Sequence, residues 1–144
     1  KLSTTRPNFL IAFSKNPYTN KNMQRENLIF DKLGFIYDIR IPQQKEEFTL
    51  AKDDDLNDSE LENQLDRAYQ LITTAAEWYP IAMEHIARHS QDKSAYLTVC
   101  YLLEEDTFGL SFELDSEPEH GLGMKLNSST FEIIEFGEAH VAFA

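Results

Sequence analysis

The stretch that decides the fold is residues 95–114, which read AYLTVCYLLEEDTFGLSFEL. Its first part, Ala95–Leu103, is a nearly unbroken run of β-prone residues, and the acidic residues after it predict a polar turn. From Phe108 to Leu114, large apolar residues alternate with small or polar ones. Because successive side chains of a strand point to opposite faces, this period of two is typical of a half-buried strand. The sequence therefore predicts two strands joined by a turn.

Further strands are predicted before this pair. In Phe35–Ile41 the odd positions are apolar, so Asp38 and Arg40 are expected on the opposite face. After a proline, Glu47–Ala51 has the composition of a strand that returns antiparallel. With the short apolar run Phe9–Ser14, these segments predict that residues 1–51 are rich in β-structure.

The C-terminal part predicts more strands of the same kind. Residues 121–126, 131–136 and 139–143 carry apolar residues at strand spacing and are separated by turn-forming residues. We therefore interpret residues 95–143 as a β-meander.

One long helix is predicted between the two β-rich regions. Ser59 and Glu62 have the spacing of a capping box, and apolar residues then recur every three or four positions as far as Tyr79. Pro80 lacks the backbone donor that a helix interior needs, so a kink or a break is expected there. Residues 59–89 are thus interpreted as one helix kinked at Pro80, or as two helices that abut there.

These elements predict a single α+β domain over residues 1–144, in which a mainly antiparallel sheet is covered by the long helix. No stretch approaches the roughly 20 apolar residues that span a bilayer. The run Phe9–Phe13 is too short for the apolar core of a signal peptide. The single cysteine, Cys100, fits a reducing compartment. A cytoplasmic location is expected.

Charge is distributed unevenly along the chain. The formal net charge is −12, from 13 basic and 25 acidic residues. Residues 1–45 contain eight basic and three acidic residues, whereas residues 46–144 contain five basic and 22 acidic ones. Such an acidic surface repels phosphate backbones and anionic lipids, so direct binding to nucleic acid or to membranes is not expected. A basic macromolecule would be attracted, although solubility alone also explains an acidic composition.

Two patterns resemble metal sites and fall short of them. The acidic tract that begins at Asp53 has calcium-loop spacing at first, but Asp58 stands where the loop needs glycine and Gln64 where it needs glutamate. His85 and His89 share a helix face at a spacing that suits zinc, but the rest of the zinc-protease motif is missing. No metal and no cofactor are expected.

No nucleophile motif is complete either. Ser111 stands two residues after Gly109, as in a nucleophile elbow, but the second glycine and the following helix are absent. Cys100 lies inside an apolar run, where a thiol is usually an inert small hydrophobe. The paired carboxylates lie in turns, where ordinary pKa values make them poor general acids. We therefore expect no catalytic residues and no enzyme activity.

A resemblance is carried by EPEHGLG at residues 117–123 and by FEIIEFG at residues 131–137. The chain here resembles bacterial immunity proteins of contact-dependent growth inhibition and related polymorphic toxin systems. The resemblance implies a cytoplasmic protein that binds and neutralises a cognate toxin domain, often a basic nuclease. An acidic inhibitor of this kind would pair its carboxylates with the cations that a nuclease presents to phosphates.

Two acidic clusters are candidates for the toxin-binding site. We favour the one on and beside the strands, because a strand is a rigid platform and apolar anchors lie nearby. The favoured partner-binding residues are Asp106, Phe108, Glu113, Asp115, Glu117, Glu119 and His120, and the secondary acidic patch is Asp53, Asp54 and Asp55.

Two other classes of function remain open. The first is a ligand-binding or regulatory module with a pocket between helix and sheet, lined by Tyr69, Trp78 or Tyr79. The second is a metal-dependent hydrolase that uses His85, His89 and nearby carboxylates. A deep apolar pocket would favour the first and a bound metal the second.

Overall fold

The computed structural model describes residues 24–52, 58–90, 94–104, 106–116 and 119–144. The predicted strand Phe9–Ser14 lies outside these residues. The described part forms a six-stranded sheet, two α-helices and two short 3-10 helices. Their bounds are β1 Phe35–Ile39, β2 Phe48–Ala51, α1 Asp58–Thr73, α2 Ala75–His89, β3 Ala95–Leu102, β4 Thr107–Leu114, β5 Leu122–Asn127 and β6 Ile133–Glu138, with 3-10 helices at Arg25–Asn27 and Ala139–Ala142.

The strands lie in the sheet in the order in which they follow along the chain. Neighbouring strands are antiparallel except β2 and β3, which are parallel because α1 and α2 form the crossover between them. The α+β class and the mainly antiparallel sheet are therefore confirmed. Among the described residues, no helix combines the length and the apolarity that crossing a bilayer requires.

The expectation of one long helix is not confirmed, because the structure has two helices that meet at Thr74 rather than at Pro80. The hydroxyls of Thr73 and Thr74 both donate to the carbonyl of Gln70, and the indole of Trp78 donates to the carbonyl of Leu71 at 2.8 Å. The carbonyl of Gln70 also accepts its helical bond from the backbone nitrogen of Thr74, so the carbonyl that a side chain diverts from a continuing helix is that of Leu71. Pro80 is exposed inside α2, where water can solvate the carbonyl that it leaves without a donor.

One core holds the helices and the sheet together. Phe108, Leu110, Phe112 and Leu114 are all buried, as the alternation in β4 predicts. In β3 the buried positions change from odd to even residues at Thr98, where the register with β4 shifts by one residue. This β-bulge turns apolar residues on both sides of it to the same face of the sheet. It explains why Ala95–Leu103 shows no simple alternation.

The predicted faces of β1 are wrong in part. Ile36, Ile39 and Ile41 are buried, whereas Tyr37 is exposed. The register with β2 shifts between Ile36 and Ile39, and Asp38 has a φ of 59°. The left-handed backbone at Asp38 shifts the alternation by one residue, so the buried positions change from even before it to odd after it.

The last predicted strand, Ala139–Phe143, is instead a 3-10 helix over Ala139–Ala142, which we call the strap. The strap folds back over the face of the sheet opposite the α-helices and packs on glycines of three strands. A Cβ at Gly109 would lie 1.8 Å from the carbonyl oxygen of Ala142, and one at Gly123 would lie 2.6 Å from that of Ala139. The backbone of the strap thus occupies the space that a side chain at Gly109 or Gly123 would need.

Candidate functional site

One end of the sheet carries a tyrosine, Tyr96, whose pKa is raised by the charges of three carboxylates. Glu113 lies directly opposite Tyr96 in the β3–β4 ladder, and Asp115 follows β4. The pKa of Tyr96 is raised, first by the negative charge of Glu113, then by burial, and then by Asp115 and Glu46. We call Glu46, Tyr96, Glu113 and Asp115 the acidic end. These carboxylates raise the pKa of Tyr96 because the deprotonated tyrosine would place another negative charge beside them.

Among the described residues, no ion pair joins a carboxylate of the acidic end to a cation. The ion pairs among the described residues join Arg25 to Glu62 and Asp66, Arg40 to Glu47, Arg88 to Glu84 and Lys125 to Glu135. None of these pairs includes a residue of the acidic end. Part of the negative charge of the chain therefore lies at this end of the sheet, outside the ion pairs of the described residues.

Gln44 holds the loop that carries Glu46 against β3. Its amide oxygen accepts from the backbone nitrogen of Leu97 at 2.9 Å, and its amide nitrogen donates to the carbonyl of Leu97 at 2.9 Å. The amide nitrogen also donates to the carbonyl of Glu46, and the hydroxyl of Tyr79 donates to the amide oxygen. The side chain thus completes the ladder beside β3 as a backbone would. These bonds fix the backbone at Glu46, whose charge contributes to the raised pKa of Tyr96.

The structure divides the predicted strand cluster. Asp106 lies in the turn that precedes β4, whereas Glu113 and Asp115 lie at its far end, a strand length of about 23 Å away. Phe108 is completely buried and packs edge-on against Trp78, with ring centroids 5.7 Å apart. Phe108 is therefore a core residue and presents no surface to a partner, which corrects its expected role as an anchor.

The remaining predicted positions are placed only in part. Glu119 and His120 are exposed in the β4–β5 connection, at the same end of the sheet as Asp115. Glu117 and the secondary patch Asp53, Asp54 and Asp55 lie outside the described residues.

The sequence reasoning missed Tyr96 and Glu46. A signal for Tyr96 was available, because a hairpin places a β3 residue opposite Glu113 on the polar face. Which β3 residue lies opposite Glu113 depends on the bulge at Thr98, since an unshifted register would pair Glu113 with Leu97. No comparable signal marks Glu46, which reaches the site through the side chain of Gln44.

His85 and His89 stack on each other, with ring centroids 4.2 Å apart, and His85 also packs edge-on against Phe136. Burial lowers the pKa of His85, and the charges of His89 and Arg88 lower it further. Among the described residues, no group of three histidine, cysteine or carboxylate side chains is placed to hold a metal ion. The described residues thus supply no metal centre for the hydrolase alternative.

The other predicted pocket and nucleophiles are filled or shielded. Trp78 and Tyr79 are buried in the core and Tyr69 packs against it, so the space around these three rings is filled. Ser111 lies in the β4 ladder between Val99 and Gly123. Burial raises the pKa of the Cys100 thiol to about 12, which leaves it protonated and unreactive near neutral pH.

The glycines of the two motifs that carry the resemblance have structural roles. Gly123 makes room for the backbone of the strap, and Gly137 contacts the side chain of Val141 in it. The motif therefore describes how the strap packs on the sheet and assigns no binding residue. No family model, no curated protein and no solved structure matches the chain.

Proposed function

We propose that this protein is a cytoplasmic immunity protein that binds and neutralises a cognate toxin domain with a basic surface, such as a nuclease. The observation that supports the proposal best is the acidic end, where Glu113 lies opposite the partly exposed Tyr96 on paired strands and, among the described residues, none of the three carboxylates has an ion-pair partner. A nuclease presents lysine, arginine or histidine to phosphates, and carboxylates can take the place of those phosphates. The resemblance of the C-terminal motifs points to the same class.

The energetic roles of charge and of the aromatic ring differ. An exposed ion pair contributes about 0.2–1 kcal/mol, so three such pairs alone make a weak complex. Their main effect is to accelerate association with a basic partner. The affinity must come from a side chain that a partner can desolvate, and tyrosine is among the commonest residues in that role. Tyr96 therefore replaces Phe108 as the proposed anchor.

The first experiment uses the product of the adjacent gene as the candidate toxin. Its expression alone is expected to arrest bacterial growth, and co-expression of this protein is expected to restore growth. The combined variant Glu46→Gln, Glu113→Gln and Asp115→Asn should weaken binding by about tenfold or more and lose protection. A matched control, Glu26→Gln with Glu77→Gln and Glu132→Gln, removes the same charge elsewhere and should still protect.

Two outcomes would count against the proposal. Full protection by the acidic-end variant would show that the toxin-binding site lies elsewhere on the protein. The variant Asp53→Asn, Asp54→Asn and Asp55→Asn tests the secondary patch directly. An association rate that stays constant from about 0.05 to about 0.5 M salt would show that charge does not steer binding, because the Debye length falls from roughly 14 to roughly 4 Å over that range.

A further inference from the structure

The face of the sheet opposite the α-helices is covered only in part. The strap packs on glycines of β4, β5 and β6, and the 3-10 helix at Arg25–Asn27 packs on α1. Within the described ranges, β1, β2 and β3 therefore have no helix over them on this face. We call this uncovered part the open face, and its residues are Phe35, Tyr37, Thr49, Val99, Tyr101 and, after the strap, Phe143.

The register of the strands places the open face on the side of the strap. Phe35 lies opposite Ala51 of β2, and Ala51 lies opposite Tyr101 of β3. Tyr101 in turn lies opposite Gly109, against which the strap packs. Because residues directly opposite each other in a ladder point to the same face, the ring of Phe35 and the ring of Tyr101 share the face of the strap. Val99, two residues before Tyr101, points the same way.

Two pairs of aromatic rings make the open face apolar. The ring centroids of Phe35 and Tyr37 are 5.6 Å apart, and those of Tyr101 and Phe143 are 5.3 Å apart. Tyr37 and Phe143 are 48% and 54% exposed, so a partner can reach both pairs. Since β2 alone separates β1 from β3, the two pairs stand about 10 Å apart. A neighbouring group of exposed rings marks an interaction surface, whereas a single exposed residue such as Ile81 needs no explanation.

The acidic end lies on the same face. Glu113 follows Gly109 by four residues in β4, so its side chain points to the side of the strap. Tyr96 lies opposite Glu113 and shares that face. Tyr96 precedes Tyr101 by five residues in β3, a distance of about 15 Å. The open face and the acidic end therefore form one surface, with aromatic rings in its middle and carboxylates at one end.

The charges of this surface decide between possible occupants. No residue of the open face is charged, and the carboxylates beside it attract a basic partner. A second copy of the chain would bring the same net charge of −12, so repulsion opposes its approach. A protein with an apolar patch bordered by lysine or arginine fits both parts of the surface. Protein interfaces commonly have this arrangement, with an aromatic centre and a charged rim.

We propose that the toxin domain docks on the open face, with an apolar patch on the two ring pairs and with lysine or arginine side chains at the acidic end. This inference rests on the proposed function and extends its contact surface beyond the carboxylates and Tyr96. Each ring pair is already packed in the free protein, so its side chains lose little conformational freedom when the partner binds.

The first test asks whether the open face is accessible in the free, full-length protein and covered in the complex. The native thiol of Cys100 is buried and adds little background to labelling by a thiol reagent. The thiol introduced by Tyr37→Cys should react within about tenfold of the rate of an unfolded chain, and the toxin domain should slow it by about tenfold or more. Ile81→Cys, on an exposed position of α2, is the matched control and should react equally fast with and without the toxin domain.

The second test separates the rings from the charges by binding kinetics. Tyr37→Ala and Phe143→Ala should each weaken binding by about tenfold. Because apolar contacts act mainly on dissociation, this loss should appear in the dissociation rate and persist at about 0.5 M salt, whereas the acidic-end variant should slow association at low salt. Ile81→Ala also truncates an exposed apolar side chain and should leave both rates unchanged.

Contrary results overturn the inference in distinguishable ways. If Tyr37→Cys in the free protein reacts as slowly as Cys100, the open face is already covered, and a dimer in light scattering would identify a second copy as the occupant. If the complex protects cells while Tyr37→Ala and Phe143→Ala bind with unchanged affinity, the open face is not the docking surface and the proposed function stands. If no complex forms, the proposed function fails and this inference fails with it.

Discussion

Replacing Gly109 with alanine is expected to displace the strap from the sheet. The new Cβ would lie 1.8 Å from the carbonyl oxygen of Ala142. An ordinary contact between such atoms is about 3.5 Å, so the strap backbone must retreat by about 1.5 Å or more. Because the Cβ of residue 109 would meet backbone atoms of Ala142, no flexible side chain can move aside to relieve the clash.

The expected cost follows from what the strap buries. Val141 and Ala142 are 7% and 0% exposed, and full burial of a valine side chain contributes about 1.5–3 kcal/mol. Two effects offset part of this loss of stability. A released strap regains conformational entropy. Alanine also lowers the conformational entropy of the unfolded chain, which stabilises the folded state by about 0.4–1 kcal/mol. We therefore expect the free energy of unfolding to fall by about 1–3 kcal/mol.

Gly137→Ala is the matched control, because its Cβ would meet only the tip of the Val141 side chain, at 3.0 Å. That methyl group can move, so the expected change in stability is within about 0.5 kcal/mol. The measurement is urea unfolding of both variants, with near-ultraviolet circular dichroism to follow the packing of Tyr101 against Phe143. Equal costs for the two substitutions would refute the proposed contact between the strap backbone and Gly109.

Three further predictions concern the core and its titratable groups. Phe112→Ala should lower the free energy of unfolding by about 3–5 kcal/mol and Glu113→Ala by less than about 0.5 kcal/mol, and similar values in urea unfolding would reject the β4 register. Burial raises the pKa of Cys100 to about 12, so a thiol reagent at about pH 8 should label the native protein far more slowly than the urea-unfolded chain; comparable rates would show that the thiol is accessible. Because burial, His89 and Arg88 lower the pKa of His85 below its ordinary value of about 6.5, the unfolded chain binds this proton more readily; stability should fall as the pH drops below about 6.5, and His85→Asn should reduce that slope, whereas an unchanged slope would assign the effect to other groups.

The sequence predicts elements well where a single period persists. The alternation of β4 places Phe112 inside and Glu113 outside, as the structure does. Prediction fails where one residue changes the period. The bulge at Thr98 and the left-handed Asp38 each exchange the faces of a strand, and no local composition marks either position.

Tertiary contacts account for the other differences. Helix α1 ends at Thr73 because the indole of Trp78, in the following turn, takes the carbonyl of Leu71, a bond that the capping rules do not include. Residues 139–143 have strand-like composition, yet glycines on three strands leave a shallow surface on which a compact 3-10 helix packs. The candidate site was predicted in part for the same reason: Glu113 follows from the alternation, whereas Glu46 depends on the distant contact between Gln44 and Leu97.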